Sequence, residues 1–109
     1  MSEVLGTFEQ AVLLAVFRLR SDAYGRAILK ETQARLQREV TAGAVYATLD
    51  RLEKKRLISS HLEQGTPVRA GRQRRYYAVE RAGVEALNES KSVVNQLWRG
   101  FRWPLKGRA

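Results

Sequence analysis

The sequence contains no cysteine. That removes disulfides, thiolate nucleophiles and cysteine-ligated metal, and it suits a reducing compartment. Histidine occurs once, as His61. With no second ligand or carboxylate pair beside it, it reads as a structural or surface residue rather than a catalytic or metal-binding one. Glycine-rich phosphate loops, HExxH and GxSxG are also missing, so neither an enzyme nor a cofactor or metal is expected. Acidic residues are scarce: eleven Asp and Glu stand against twenty Lys and Arg, a formal net charge of +9. Such a balance favours an anionic partner, either nucleic acid or an acidic membrane surface. No apolar run approaches a bilayer's thickness, the longest being residues 11–17. The start, Met1-Ser2-Glu3, lacks the basic region of a signal peptide. A cytoplasmic location is therefore the expectation.

What is present is an ordinary globular composition, 44% hydrophobic and 28% charged over 109 residues, enough for one compact domain. Thr7 and Gln10 form a candidate capping box for a helix over 7–18. Its centre, residues 11–17, is apolar on every side, which predicts cover on two sides, one of them from a second subunit. Ser21 or Asp22 caps a second helix over 24–37, with Tyr24, Ile28, Thr32 and Leu36 on one face. Thr41 caps a third over 42–55, whose core stripe is Val45, Leu49 and Leu52. Gly43, Ala47, Asp50, Arg51 and Lys54 point the other way, with Tyr46 at the boundary.

Two strands, 57–62 and 74–79, flank a turn-rich loop over 63–73. The interval 65–81 holds five arginines and one acid. Taken alone such a run reads as a solvated loop. Placed between two strands just after a capped basic helix, it reads as a wing. A last helix over 81–99 repeats Val84, Leu87, Lys91, Val94, Trp98 and Phe101 at alternating three- and four-residue steps, a heptad seam that Pro104 closes. The expected fold is mainly α with a small β-hairpin: a winged helix-turn-helix over 1–80, then a carboxy-terminal dimerisation helix and basic tail over 81–109, in one structural unit. That order of elements sets one helix in the major groove and the wing on the flanking backbone. The competing reading is an interaction module for protein or membrane without operator binding. It would gather its cations along one amphipathic helix; here they sit on the wing, the back of the third helix and the tail.

Specific residues carry a family resemblance. The block Gly43-Ala44-Val45-Tyr46-Ala47-Thr48-Leu49-Asp50-Arg51-Leu52-Glu53, then Leu57-Ile58, then Gly71-Arg72-Gln73-Arg74-Arg75-Tyr76-Tyr77, resembles the PadR family of bacterial transcription regulators. Tyr24-Gly25 followed by Ile28 is similar to that family's second helix. The likeness extends over residues 5–101, in the short form with a single carboxy-terminal helix. Two positions depart from it: Arg56 stands where the family has glycine at the end of the recognition helix, and Glu80 where it has threonine capping the last helix. The resemblance implies a homodimeric repressor that reads a palindromic operator in double-stranded DNA. It also implies, for some members, release by a phenolic or hydrophobic compound.

These readings assign residues. DNA contacts are expected from Thr41, Gly43, Tyr46, Ala47, Arg51 and Lys54 of the third helix and from Arg69, Arg72 and Arg74 of the wing. Tyr46 has a second reading as a core tyrosine, and Arg51 is the candidate for a base edge. The dimer is expected through Val84, Leu87, Val94, Trp98 and Phe101, with Val12 and Val16 of the first helix packed against them. A site for a planar aromatic or hydrophobic effector is expected at Lys91, Trp98 and Trp103, against the plain alternative that the tryptophans fill the interface or anchor the tail.

Overall fold

The computed structural model describes residues 4–102, so Trp103, Pro104 and the basic tail lie outside the described residues. Helix α1 (Thr7–Leu19) is followed by a 3-10 turn (Arg20–Asp22), α2 (Gly25–Leu36) and α3 (Ala42–Lys54). Strands β1 (Ile58–Glu63) and β2 (Arg74–Val79) flank a second 3-10 turn (Pro67–Arg69), and α4 (Arg81–Trp98) closes the order. The chain is mostly helical with one antiparallel hairpin, as its patterning predicts.

The centre of helix α1, residues 11–17, is apolar all round, and the fold divides its faces. Val12, Leu13, Ala15 and Val16 are buried in the chain's own core with Ile28, Val45, Leu49, Leu52 and Ile58. Leu14 is only half-buried and Phe17 is exposed. Val12 and Val16 are thus core residues with no surface left for a second subunit, which corrects their assignment to a dimer interface. The cap differs too: Gly6, not Thr7, is the N-cap. Glycine has no side chain to contribute, so only the reciprocal bond exists, from Gly6 N–H to Glu9 Oε1 at 3.2 Å. Gln10 instead donates from Nε2 to the Leu5 carbonyl at 2.9 Å.

Ser21 and Asp22 do not cap α2. They lie in the 3-10 turn, and Tyr24 is the N-cap. The reason is long-range pairing: Tyr77 N–H donates to the Ala23 carbonyl at 2.8 Å, and Tyr24 bridges to Tyr76. This short stretch is held to β2 by a single isolated bridge beside the two-stranded hairpin. Thr41 caps α3 as expected, its hydroxyl accepting from Ala44 N–H at 3.0 Å.

Helix α3 ends on an arginine in a glycine's conformation. Arg56 has φ 63, its N–H donates to Glu53 O at 2.9 Å, and Leu57 N–H donates to Leu52 O at 3.0 Å. These are the two bonds of a Schellman turn, normally built around glycine. The hairpin then pairs from Ile58 with Val79 to Glu63 with Arg74. Glu80 starts α4 without a side-chain cap; its carboxylate accepts from Ser59 Oγ at 2.9 Å instead.

The first half of α4 packs onto the body through Gly83, Ala86 and Ser90. Gly83 permits this, since a Cβ there would stand 2.3 Å from the Leu57 carbonyl oxygen. Along the seam, Val84 and Leu87 are half-buried, while Val94 and Trp98 are exposed. The helix stops at Trp98, and Gly100 turns the chain at φ 90. Phe101 therefore lies beyond the helix rather than on its seam, which corrects the heptad reading at that position.

Candidate nucleic-acid interface

Helix α3 presents Thr41, Gly43, Tyr46, Ala47, Asp50, Arg51 and Lys54 to solvent. Gly43 and Ala47 keep its first turns low, and a Cβ on Gly43 would meet no atom within 4 Å. Tyr46 is 47% exposed, so it is no core tyrosine. It lies on the backbone of α2, where a Cβ at Gly25 would come within 2.4 Å of its hydroxyl. Gly25 is what lets α2 and α3 approach this closely. Lys54 pairs with Asp50 at 3.3 Å, both well exposed, a contact of little energetic weight. Arg51 bends back along its helix, Nη2 donating to Thr48 Oγ1 at 3.1 Å.

Arg51 also helps set the charge state of Glu9. Partial burial raises that carboxyl's pKa, but the Gly6 N–H, the Lys55 ammonium and Arg51 together outweigh it and hold Glu9 below the usual carboxylate range. Lys55 Nζ stands 3.1 Å from Glu9 Oε2, tying the end of α3 to the start of α1.

The wing is closed by its glycines. A Cβ on Gly65 would lie 2.0 Å from the Gly71 carbonyl oxygen, so the two arms cross where only glycine fits. Arg69 is turned into the loop, with Nε donating to the Arg72 carbonyl at 3.2 Å and Nη2 to the Gln64 carbonyl. Arg72 Nε returns a bond to the Arg69 carbonyl at 3.2 Å. These bonds give the loop its shape and leave both residues lining the cleft beneath it.

That cleft, about 670 Å³, lies between the wing and the starts of α2 and α3. Five arginines line it: Arg26, Arg69, Arg72, Arg74 and Arg75, together with Tyr24, Tyr46 and Tyr77. No carboxylate is among the lining residues. Arg74 lies over the Tyr24 ring at 3.9 Å, and its bond to the Tyr76 side chain further favours its charged form. Arg75 Nη1 donates to Ser60 Oγ at 2.9 Å, and Ser60 donates in turn to Glu53 Oε2 at 2.7 Å. Burial raises the pKa of the Tyr77 hydroxyl, which keeps it neutral beside these cations. In the sequence Arg75 is one of the wing cations, with nothing to mark it as a site residue, and Arg26 lies off the core face of α2. Neither Tyr24 nor Arg26 carries a local signal for the cleft, because only the fold brings α2 under the wing.

Away from that cleft, α1 and α4 line an apolar groove of about 400 Å³ containing Leu14, Phe17, Val84, Leu87, Lys91 and Val94. Lys91 of the expected effector set lies there, but Trp98 is not in the lining. His61 stacks on Tyr76 with ring centroids 5.9 Å apart. Among the described residues no cluster of potential ligands fits a metal ion, and no helix is long and apolar enough to cross a membrane.

Residues 13–89 match the model of the transcriptional regulator PadR-like family. The fold is similar to a PadR family transcriptional regulator from Eggerthella lenta DSM 2243, at 29% identity and TM-score 0.65, covering 82% of this chain and 75% of that one. It is similar to a PadR family transcription regulator from Clostridium difficile R20291, at 26% identity and TM-score 0.65, covering 88% and 98%. RosR of H. salinarum shares the fold at 23% identity and TM-score 0.66, covering 90% and 81%. No curated protein sequence matches the chain significantly.

Proposed function

The chain belongs to the transcriptional regulator PadR-like family, and from that premise we propose that it is a homodimeric repressor that binds a palindromic operator and releases it when a small molecule binds. The observation that carries the DNA-binding part is the cleft. Five arginines line it without a carboxylate among the lining residues, next to a capped helix whose exposed face begins with small residues. Guanidinium forks match phosphate oxygens in pairs, and a helix beside such a cleft meets base edges while the cations meet the backbone. Helix α4 has two acids, Glu85 and Glu89, to match Arg81 and Lys91. It is not the basic amphipathic helix that a membrane-surface module needs.

Dimerisation has support in the exposed apolar residues Phe17, Val94, Leu97 and Trp98, on the two helices that form the groove. Apolar surface of that kind on a small chain is ordinarily covered by a partner. The same groove carries the effector reading, with Leu14, Phe17 and Leu87 as walls and Lys91 to pair with a carboxylate or phenolate. The site moves about two to three turns from Trp98 toward the body; Trp103 lies outside the described residues.

The test is fluorescence anisotropy with the duplex upstream of the protein's own gene and an unrelated duplex, over a salt series. Tight, salt-dependent binding with preference for the upstream duplex is the expected result. Substituting Arg72 and Arg74 together by Ala should weaken both duplexes and reduce the log–log salt slope by about one for each phosphate these side chains neutralise. Equal, weak binding of both duplexes by the wild type would sink the operator reading.

A further inference from the structure

Among the arginines of the cleft, Arg74 is held by a ring. Its Cζ lies 3.9 Å from the centroid of Tyr24. Tyr24 is itself fixed from two sides. Its backbone bridges to Tyr76, and the two rings meet edge to face at 5.8 Å. It is also the N-cap residue of α2, the position from which that helix starts. One side chain thus links the entry of α2, the second wing strand and a wing cation.

The chemistry of that contact leaves Arg74 available. A guanidinium packed over an aromatic ring has one face covered, but its N–H groups lie in its own plane, and those not taken by the Tyr76 side chain can still donate. A side chain already immobilised also loses less freedom on binding than a mobile one. Two residues along from Tyr24, Arg26 is exposed, lines the same cleft and has no hydrogen bond or ion pair among the described residues. A cation held on the wing and an unpaired one on α2 therefore face one space from opposite elements.

We propose that Tyr24 is a positioning residue for phosphate recognition, its ring holding Arg74 so that Arg74 and Arg26 grip the same run of DNA backbone across the cleft. This rests on the DNA-binding reading above and adds to it the grip and its support. The wing and the entry of α2 then engage the backbone as one body.

The test measures binding of the upstream duplex and an unrelated duplex for wild type, Y24F, Y24L, R74A, R74K, R26A and the double variant Y24L/R74A, with melting curves for each. Y24F retains the ring and should bind as wild type does. Y24L should weaken both duplexes on the order of 2- to 5-fold, the size of an exposed cation–π contact. In the R74A background the same change should cost nothing further, because Tyr24 acts through Arg74. R74K keeps the charge and loses the planar stack, so it should lose affinity as well. R26A should lower the salt slope by about one without changing sequence preference. Wild-type affinity in folded Y24L or in R74K, full additivity of Y24L with R74A, or an unchanged slope in R26A would overturn the proposal. Should Y24L not fold, R74K and R26A still decide it. Wild type that binds neither duplex at low salt would instead overturn the DNA-binding reading, and this proposal with it.

Discussion

The backbone N–H of Leu5 donates to the hydroxyl of Ser90 at 2.9 Å, in the interior, between residues 85 positions apart. Ser90 is fully buried and Leu5 nearly so. This bond fastens the segment before α1 to the middle of α4, at the point where α4 leaves the body. A buried N–H without a partner costs about 1–3 kcal/mol. Ser90→Ala is expected to destabilise by that amount, read as a lower urea midpoint. An unchanged midpoint would mean that the bond contributes nothing net.

Arg56 makes a prediction in the opposite direction. A side chain at φ 63 is strained, and the Schellman turn at the end of α3 is one that glycine adopts freely. The relief is partly offset by the extra freedom glycine brings to the unfolded chain, leaving a net gain of about 0.5–1 kcal/mol for Arg56→Gly. Thermal melting of the variant should shift upward by a few degrees, and a downward shift would show that the arginine side chain makes a compensating contact.

Glu9 predicts the acid limb of stability. Its folded pKa lies below the ordinary value of 4.5 because the Gly6 N–H, Lys55 and Arg51 outweigh its burial. A depressed carboxyl pKa contributes stability that is present above the unfolded value and is lost as pH falls through the folded one. Unfolding free energy should therefore drop below pH 4.5, and Glu9→Gln should flatten that drop while lowering stability at neutral pH. Parallel curves for variant and wild type in that acid range would rule out this carboxylate as a source of acid sensitivity.

The exposed apolar face predicts the effect of charge on assembly. Phe17 of α1 and Val94 of α4 both line the groove between those helices, 52% and 42% exposed in the single chain. Phe17→Glu is expected to convert the proposed dimer to a species of 12.4 kDa by light scattering, without lowering the helical signal. A variant that stays at twice that mass places the dimer contact elsewhere.

Much of the architecture was legible because its signals are local. Strand β2 was expected and found over Arg74–Val79, where β-rich residues follow a glycine-bearing loop. The start of α3 was readable from Thr41, a side chain that bonds to a backbone three residues on and needs nothing distant. The wing was readable from turn residues and charge, and the whole order of elements followed.

The division of α1 into a core face and an outer face was not legible, since a helix apolar on every side has no periodicity to show which residues turn inward. Only packing against α2 and α3 buried Val12 and Val16 and left Phe17 outside. By its spacing Tyr24 is the first residue on the face of α2 that Ile28, Thr32 and Leu36 share. Pairing with a strand some fifty residues later made it the cap and gave its ring to Arg74. Phe101 kept the heptad spacing, but Gly100 at φ 90 takes the chain off the helix before it. The sequence by itself determined the elements, their order and the charge of the wing, because propensity, capping and turn chemistry act over a few residues. Which arginines share one cleft, and which apolar face is left for a partner, was decided by contacts between segments far apart in the chain, and those exist only once the core has closed.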